Sequence, residues 1–291
     1  MKNNLFNGLL PAIIILAGPV LAQQGMTDKE RIARVERMLA EPNPIEASQS
    51  VWIEELTYME VRDRITEGVS TAIVSTGGIE ENGPFLATGK HNVILEGLCP
   101  LIAAELGNAL CAPIVPFVPE GNIDPPSGAM HFPGTFSVRD ETYQALLEDI
   151  GNSLKQHGFS DIVFIGDSGG NQRGMKATTE ALNVQWHDSD ARAHFVVEFY
   201  TSGWSETERY TEDVLGVKET THDGHHDDIW VTALMMITDP GTVRYEQRLN
   251  ADLASINGVD ISDLDATVGL GWKMARFRAA HTADAIRKSI E

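Results

Sequence analysis

Basic side chains are scarce in this 291-residue chain. It has 22 Lys and Arg against 42 Asp and Glu, a formal net charge of −20. A surface this acidic repels phosphate backbones, which argues against a nucleic-acid partner. Cysteine is scarcer still, with Cys99 and Cys111 alone. Two cysteines so placed make no zinc motif. They read as two buried free thiols, although an oxidising compartment would permit a bridge. Internal repeats and low-complexity segments are missing, and no later apolar run is long enough to cross a bilayer. What remains, 42% apolar and 22% charged, is an ordinary globular composition. The length suits one large α/β domain or two small ones.

The opening "MKNNLFNGLLPAIIILAGPVLAQQG" has Lys2, an apolar stretch near Leu9 to Leu16, and Val20-Leu21-Ala22 before Gln23. This is the pattern of a secretory signal peptide, residues 1–22, cleaved after Ala22. It predicts a periplasmic or secreted protein with no membrane attachment after cleavage. Residues 23–50 are expected to form a helical arm. Thr27 and Glu30 make a capping box there, and Ile32, Val35 and Leu39 share one helix face. The main domain is expected over residues 51–291.

From Leu56 onward the pattern alternates. Helices are predicted at 56–68, 92–110, 139–159 and 172–187, with strands at 70–78, 111–122, 160–171 and 193–200. Short, β-branched, nearly continuous apolar strands between helices predict a mostly parallel central sheet with helices on both faces, an α/β fold. Ligands in such sheets bind beyond the carboxyl ends of the strands. Three loops fall there, 77–92, 119–135 and 166–172, and a His-rich segment at 221–228 is a fourth candidate.

In "GGIEENGPFLATGKHN", residues 77–92, Glu80 offers a hard oxygen and His91 an imidazole nitrogen, both usual ligands for Zn, Mn or Fe. A polar turn after a strand is the alternative. "GDSGGNQ", residues 166–172, ends a strand in Asp167 and opens a helix with Gly169, Gly170 and Asn171. Asp167 suits a metal or a helix cap, and Ser168 or the backbone amides suit a carbonyl. "THDGHHDDIW" packs His222, His225 and His226 ahead of Asp227 and Asp228, a cluster suggestive of coordination or of a solvated loop. The loop 120–138, with His131 before Phe132-Pro133-Gly134-Thr135, has the stiffness of a pocket wall.

Taken in order, these loops resemble the creatininase (creatinine amidohydrolase) family. Its signature runs roughly G-S-x-E-Q-H-G-P-H-L-P, then Asp, F-P-G-T, N-G-H-G-G-N and H-A-G-x-x-E-T-S. Matching stretches are Gly77 to Leu86 with His91, Phe132 to Thr135, Gly166 to Asn171 and, weakly, His226 to Thr232. The likeness covers about residues 55–240. It implies a homo-oligomeric metal-dependent hydrolase that opens a C–N bond in a cyclic or small amide. The family holds two divalent ions through Glu, His, Asp, His and Glu. Here Glu80 keeps the first place. Asn82 stands for His, His91 for Asp, Ser168 for the next His and Val231 for the late Glu.

The resemblance therefore implies a rearranged site. Glu80, His91, Asp167 and His226 (or Asp228) are the expected ligands for one or two ions of Zn, Mn or Fe. A metal-bound hydroxide would attack the carbonyl, with Glu81 or Asp228 moving the proton. Asn82, His131, Ser168, Gly169, Gly170 and Asn171 are the expected substrate contacts. A lactone or C–C hydrolase, and a non-catalytic periplasmic binding protein, are the alternatives. Creatinine is not the expected substrate, because the ligand set differs and export does not fit a cytosolic catabolic step.

Overall fold

The computed structural model describes residues 26–291. The predicted signal peptide therefore lies outside the described residues. Two compact units follow, the first ending at Glu46 and the second spanning Ala47–Glu291. In the first, α1 (Asp28–Ala40) opens on the predicted capping box between Thr27 and Glu30. The second begins ahead of residue 51 because Ser48 is bonded into it. Its N–H donates to Glu60 Oε1 at 2.5 Å, and its carbonyl accepts from Arg64 Nη2 at 2.6 Å.

The main unit carries α2 (Tyr58–Thr66), β1 (Thr71–Thr76), α3 (Lys90–Leu106), β2 (Ala109–Cys111), α4 (Asp140–Gln156), β3 (Asp161–Gly166), α5 (Asn171–Gln185) and β4 (Arg192–Phe195). After these come α6 (Thr201–Asp213), α7 (Ile229–Met236), α8 (Tyr245–Asn250), the small β5 (Ser255–Ile256) and β6 (Val259–Asp260) pair, and α9 (Leu264–Ile290). The four long-range strands pair in parallel in the order β2-β1-β3-β4. The central register sets Thr71 beside Asp161 and Thr76 beside Gly166.

Side chains alternate across this sheet, and both faces are covered. Ile73, Val163 and Ile165 point into a layer with Leu98 of α3, Leu234 of α7 and Met274 of α9. Ala72, Val74, Ile162 and Phe164 point into the other, with Leu147 of α4 and Leu182 of α5. That two-sided burial explains why the strands read as continuous apolar runs.

All four strands are shorter than the predicted stretches, β1 and β3 because each gives way to the glycine turn that follows it. β2 stops at Cys111 because Pro113, Pro116 and Pro119 have no N–H for the ladder. Beyond it Ala112 donates to Ile73, and Val115 rejoins β1, accepting from Gly77 and donating to Ser75. β4 stops at Phe195, and the chain turns so that Phe199 enters the apolar layer. Both departures free chain at the carboxyl edge of the sheet, where Glu120 and Tyr200 then project.

The free-thiol expectation is corrected. Cys99 of α3 and Cys111 of β2, both fully buried, form a disulfide across 12 residues. The bond ties the helix that carries Lys90 and His91 to the sheet edge. A loop of this length restricts the unfolded chain by about 3 kcal/mol. The Cys99→Ala/Cys111→Ala variant is accordingly expected to unfold at lower urea, with a loss of about 2–4 kcal/mol. A midpoint equal to that of the oxidised wild type would contradict this.

Candidate active site

The ends of β1, β3 and the extended β2 meet at one point, because parallel strands deliver their carboxyl termini to one side. β3 is followed by Asp167, Ser168, Gly169 and Gly170. Gly170 is required here: a Cβ would lie 1.8 Å from the Pro119 carbonyl oxygen, so the turn can close onto the β2 extension only without a side chain. Gly78, with φ of +156°, lets Glu120 approach in the same way. The result is a cavity of about 280 Å³ lined by Glu80, Lys90, His91, Glu120, Asp167 and Ser168. Gly169, Gly170, Tyr200, Trp204 and His226 complete its wall. An open groove of about 870 Å³, with Arg139 and Arg173 among its lining residues, shares Gly169 and Gly170 with it.

The inner wall is a chain of alternating charges. Lys90 Nζ lies 3.9 Å from Glu80 Oε1 and 3.4 Å from the His226 carbonyl. The same Glu80 oxygen lies 2.8 Å from His91 Nε2, and His91 Nδ1 lies 2.8 Å from Asp167 Oδ2. Asp167 Oδ1 accepts from Arg278 Nη2 at 2.7 Å and from Trp204 Nε1 at 3.3 Å. Arg278 also donates to the Phe199 carbonyl and lies over the Phe199 ring at 4.2 Å. Apart from Glu80, these charged groups are almost completely buried.

Burial and the neighbouring Lys90 push the His91 imidazole down. The hydrogen bonds to Asp167 and Glu80 outweigh both and hold it above its ordinary value, so both ring nitrogens can donate. Burial pushes Asp167 up, but Arg278 and His91 hold it far below the usual carboxylate range. Glu80 is likewise lowered: burial raises it, and His91 and Lys90 overcome that. Burial lowers Lys90, and the surrounding carboxylates only partly restore it. Glu120 stands apart. Burial and the Glu80 charge push its carboxyl up to about 7. Its Oε2 accepts from Ser168 Oγ at 3.0 Å, and its buried Oε1 has no hydrogen-bond partner.

The structure brings Glu80, His91, Asp167, His226, Ser168, Gly169 and Gly170 to the cavity wall. The other predicted site residues are elsewhere. Glu81 turns back to accept from the Gly83 N–H, and Asp228 precedes α7 beside His222 and Asn257. Neither lines the cavity: Glu81 is held within its own turn, and Asp228 is turned toward His222 and the side chain of Asn257. Asn82 is buried and donates to the Glu80 carbonyl, so it supports the loop from behind. Asn171 is fully buried and clamps Thr76 and Gly77. His131 is exposed on the outer loop. Sequence reasoning passed over Lys90, Glu120, Tyr200, Trp204 and Arg278. Lys90 had a visible signal, standing next to His91.

The profile described as Creatininase: Creatinine amidohydrolase matches residues 54–284. The chain belongs to the creatininase family. That family is one of metal-dependent amidohydrolases. A Creatinine amidohydrolase of Pseudomonas putida is 27% identical over 118 residues, 40% of this chain. That match spans 45% of the relative's length. Among solved structures, "Creatininase Mn" aligns with a TM-score of 0.62 at 20% identity, covering 82% of this chain and 98% of that one. A Zn–Zn form of a creatininase variant gives 0.60 at 21% identity, covering 83% and 98%. A creatininase variant complexed with creatine gives 0.59 at 20%, covering 83% and 99%. At these identities the structural likeness establishes the fold.

A divalent ion is the family's cofactor, and two of these neighbours are named for Mn or Zn. The donors in this creatininase-family cavity are arranged differently. His91 stands between Glu80 and Asp167 with each ring nitrogen on a carboxylate, so the three donors do not converge on one point. Among the described residues, Glu219, His222 and Asp228 are gathered closely enough to share an ion, their ligand atoms within 4.8 Å of one another. That set lies outside the cavity lining. The central donor set as it stands does not fit the family's ions.

Proposed function

We propose that this creatininase-family protein is a hydrolase that opens the C–N bond of a small or cyclic amide in the 280 Å³ cavity. The observation that carries this reading is Glu120. It is a buried carboxyl at the cavity wall, raised to about 7, with one oxygen free of protein partners. A group poised near neutrality serves as base and then as acid in one turnover. Glu120 would take a proton from a water placed between Oε1 and the substrate carbonyl. The water oxygen adds to the carbonyl carbon. Glu120 then returns the proton to the departing nitrogen as the C–N bond breaks. The proton role expected of Glu81 and Asp228 thus passes to a residue that reaches the cavity.

Periplasmic or secreted location belongs to the same proposal. The buried disulfide supports it, since such bonds persist in oxidising compartments. A homo-oligomer built in part by α1 is also part of the proposal, supported by Ile32 and Val35, which are exposed on one helix face. The test of function is product formation from a panel of lactams, cyclic ureas and short amides, read by mass spectrometry. Saturable binding with no product from any of them would favour a binding protein on this fold and end the hydrolase reading.

A further inference from the structure

We propose that Lys90, His91 and Arg278 supply the positive charge that divalent ions supply in the neighbouring structures, so that the central cavity works without a resident metal and Lys90 is the group that meets the substrate carbonyl. This rests on the hydrolase reading for its second half only.

Charge accounting carries the first half. Glu80, Glu120 and Asp167 bring three carboxyls to one small cavity. A family member would balance such carboxyls with ions. Here two cationic side chains, Lys90 and His91, are built into the same wall, and a third, Arg278, lies behind it on Asp167; the three are exposed by 1%, 2% and 0%. Burying a cationic side chain is costly unless it is paired. Each of these is paired: Lys90 with Glu80, His91 with Glu80 and Asp167, and Arg278 with Asp167. An added ion would have to displace the imidazole from two carboxylates and share space with an ammonium. Repulsion from the buried Lys90 and His91 cations opposes that.

Geometry carries the second half. Lys90 has three N–H donors. One reaches the His226 carbonyl and another faces Glu80, which leaves one for a ligand. Glu120 and Ser168 line the same cavity. A carbonyl placed between Lys90 and Glu120 would have its oxygen on a cation and its carbon open to the water held by Glu120. The charge that develops on that oxygen is then stabilised where it forms.

The experiment uses the full chain, purified without chelator or metal-affinity resin. Metal content is measured, and melting is followed with EDTA, MnCl2 or ZnCl2, in wild type and in Glu80→Gln, His91→Ala, Lys90→Ala and His222→Ala. The expected wild type carries no stoichiometric ion, or one that only His222→Ala removes, and EDTA leaves the melting temperature of His222→Ala unchanged. Lys90→Ala, with the ammonium gone, is expected to gain a rise of roughly 5 °C with Mn or Zn. Stoichiometric metal in wild type that Glu80→Gln or His91→Ala abolishes would overturn the proposal. So would a Lys90→Ala variant as indifferent to ions as wild type, because Lys90 would then not stand in an ion's place. Hydrolysis is assayed in EDTA alongside. Absence of any product with these metal results intact would defeat the hydrolase reading and leave the charge assignment standing.

Discussion

Arg278→Met is expected to cost about 3–5 kcal/mol of folding stability at pH 7, the penalty for leaving one member of a buried ion pair unmatched. Asp167 and Arg278 are both fully buried and lie 2.7 Å apart. The guanidinium cannot be replaced from solvent, because Phe199 and Trp204 cover it at 4.2 and 5.5 Å. Methionine fills part of the space and removes the charge. Asp167 would keep His91 and Trp204, but it would lose the partner that does most to hold it ionised. Urea denaturation measures the loss. Adding Asp167→Asn to Arg278→Met should recover much of it, since the stranded charge is then gone. A loss under about 1 kcal/mol in the single variant would show that the pair contributes little.

The pH dependence has a definite sign. Folding lowers the Asp167 pKa, so its contribution is full above the unfolded value of about 3.9 and is lost as pH falls through the lower folded value. Without Arg278 less opposes the burial effect, and Asp167 takes up a proton at a higher pH in the folded variant than in wild type. The gap between wild type and Arg278→Met should therefore be widest near neutrality. It should narrow as the solution is acidified.

Arg278 also shows what could be read from the sequence and was not. In α9 the buried positions include Gly271, Met274, Ala275, Ala279, Thr282, Ala283 and Ile286. Their helical spacing places Arg278 on the same stripe, so a charge among small apolar residues was visible as a fault in the pattern. The strands β1 and β3 were legible because both faces are buried and their apolar runs are unbroken. The ends of β2 and β4 were not, because they depend on three prolines and on where Phe199 finds its layer. The loops that resemble the family located the cavity, yet resemblance also nominated Glu81, Asp228 and His131. Position in a motif does not say which way a side chain turns. Local hydrogen bonds decide that for Glu81, and solvent exposure for His131. Glu120 had no motif to mark it, and its chemistry arises only when the glycines at 78 and 170 let two loops close around it.

Glu120→Gln is expected to lower turnover by about 10²–10⁴-fold, the usual contribution of a positioned acid–base group. Glutamine preserves size and can still accept from Ser168, but it cannot carry a proton back and forth. Wild-type kcat should rise with pH through about 7, as the carboxyl ionises. The residual rate of the variant should lack that step. Stability should move the other way. Folding raises this pKa from 4.5 to about 7, so its favourable contribution is complete below about 4.5 and is lost as pH climbs through 7. At 1.36 kcal/mol per pKa unit the loss approaches about 3 kcal/mol by pH 8, an upper bound for a group that still touches water. Glu120→Gln has no such loss, so it should be the more stable protein at pH 8 and match wild type near pH 5. A group that only shaped the cavity would leave the pH step in kcat intact. Finding the step at about 7 in the glutamine variant would therefore remove Glu120 from the chemistry, whatever the size of the rate change.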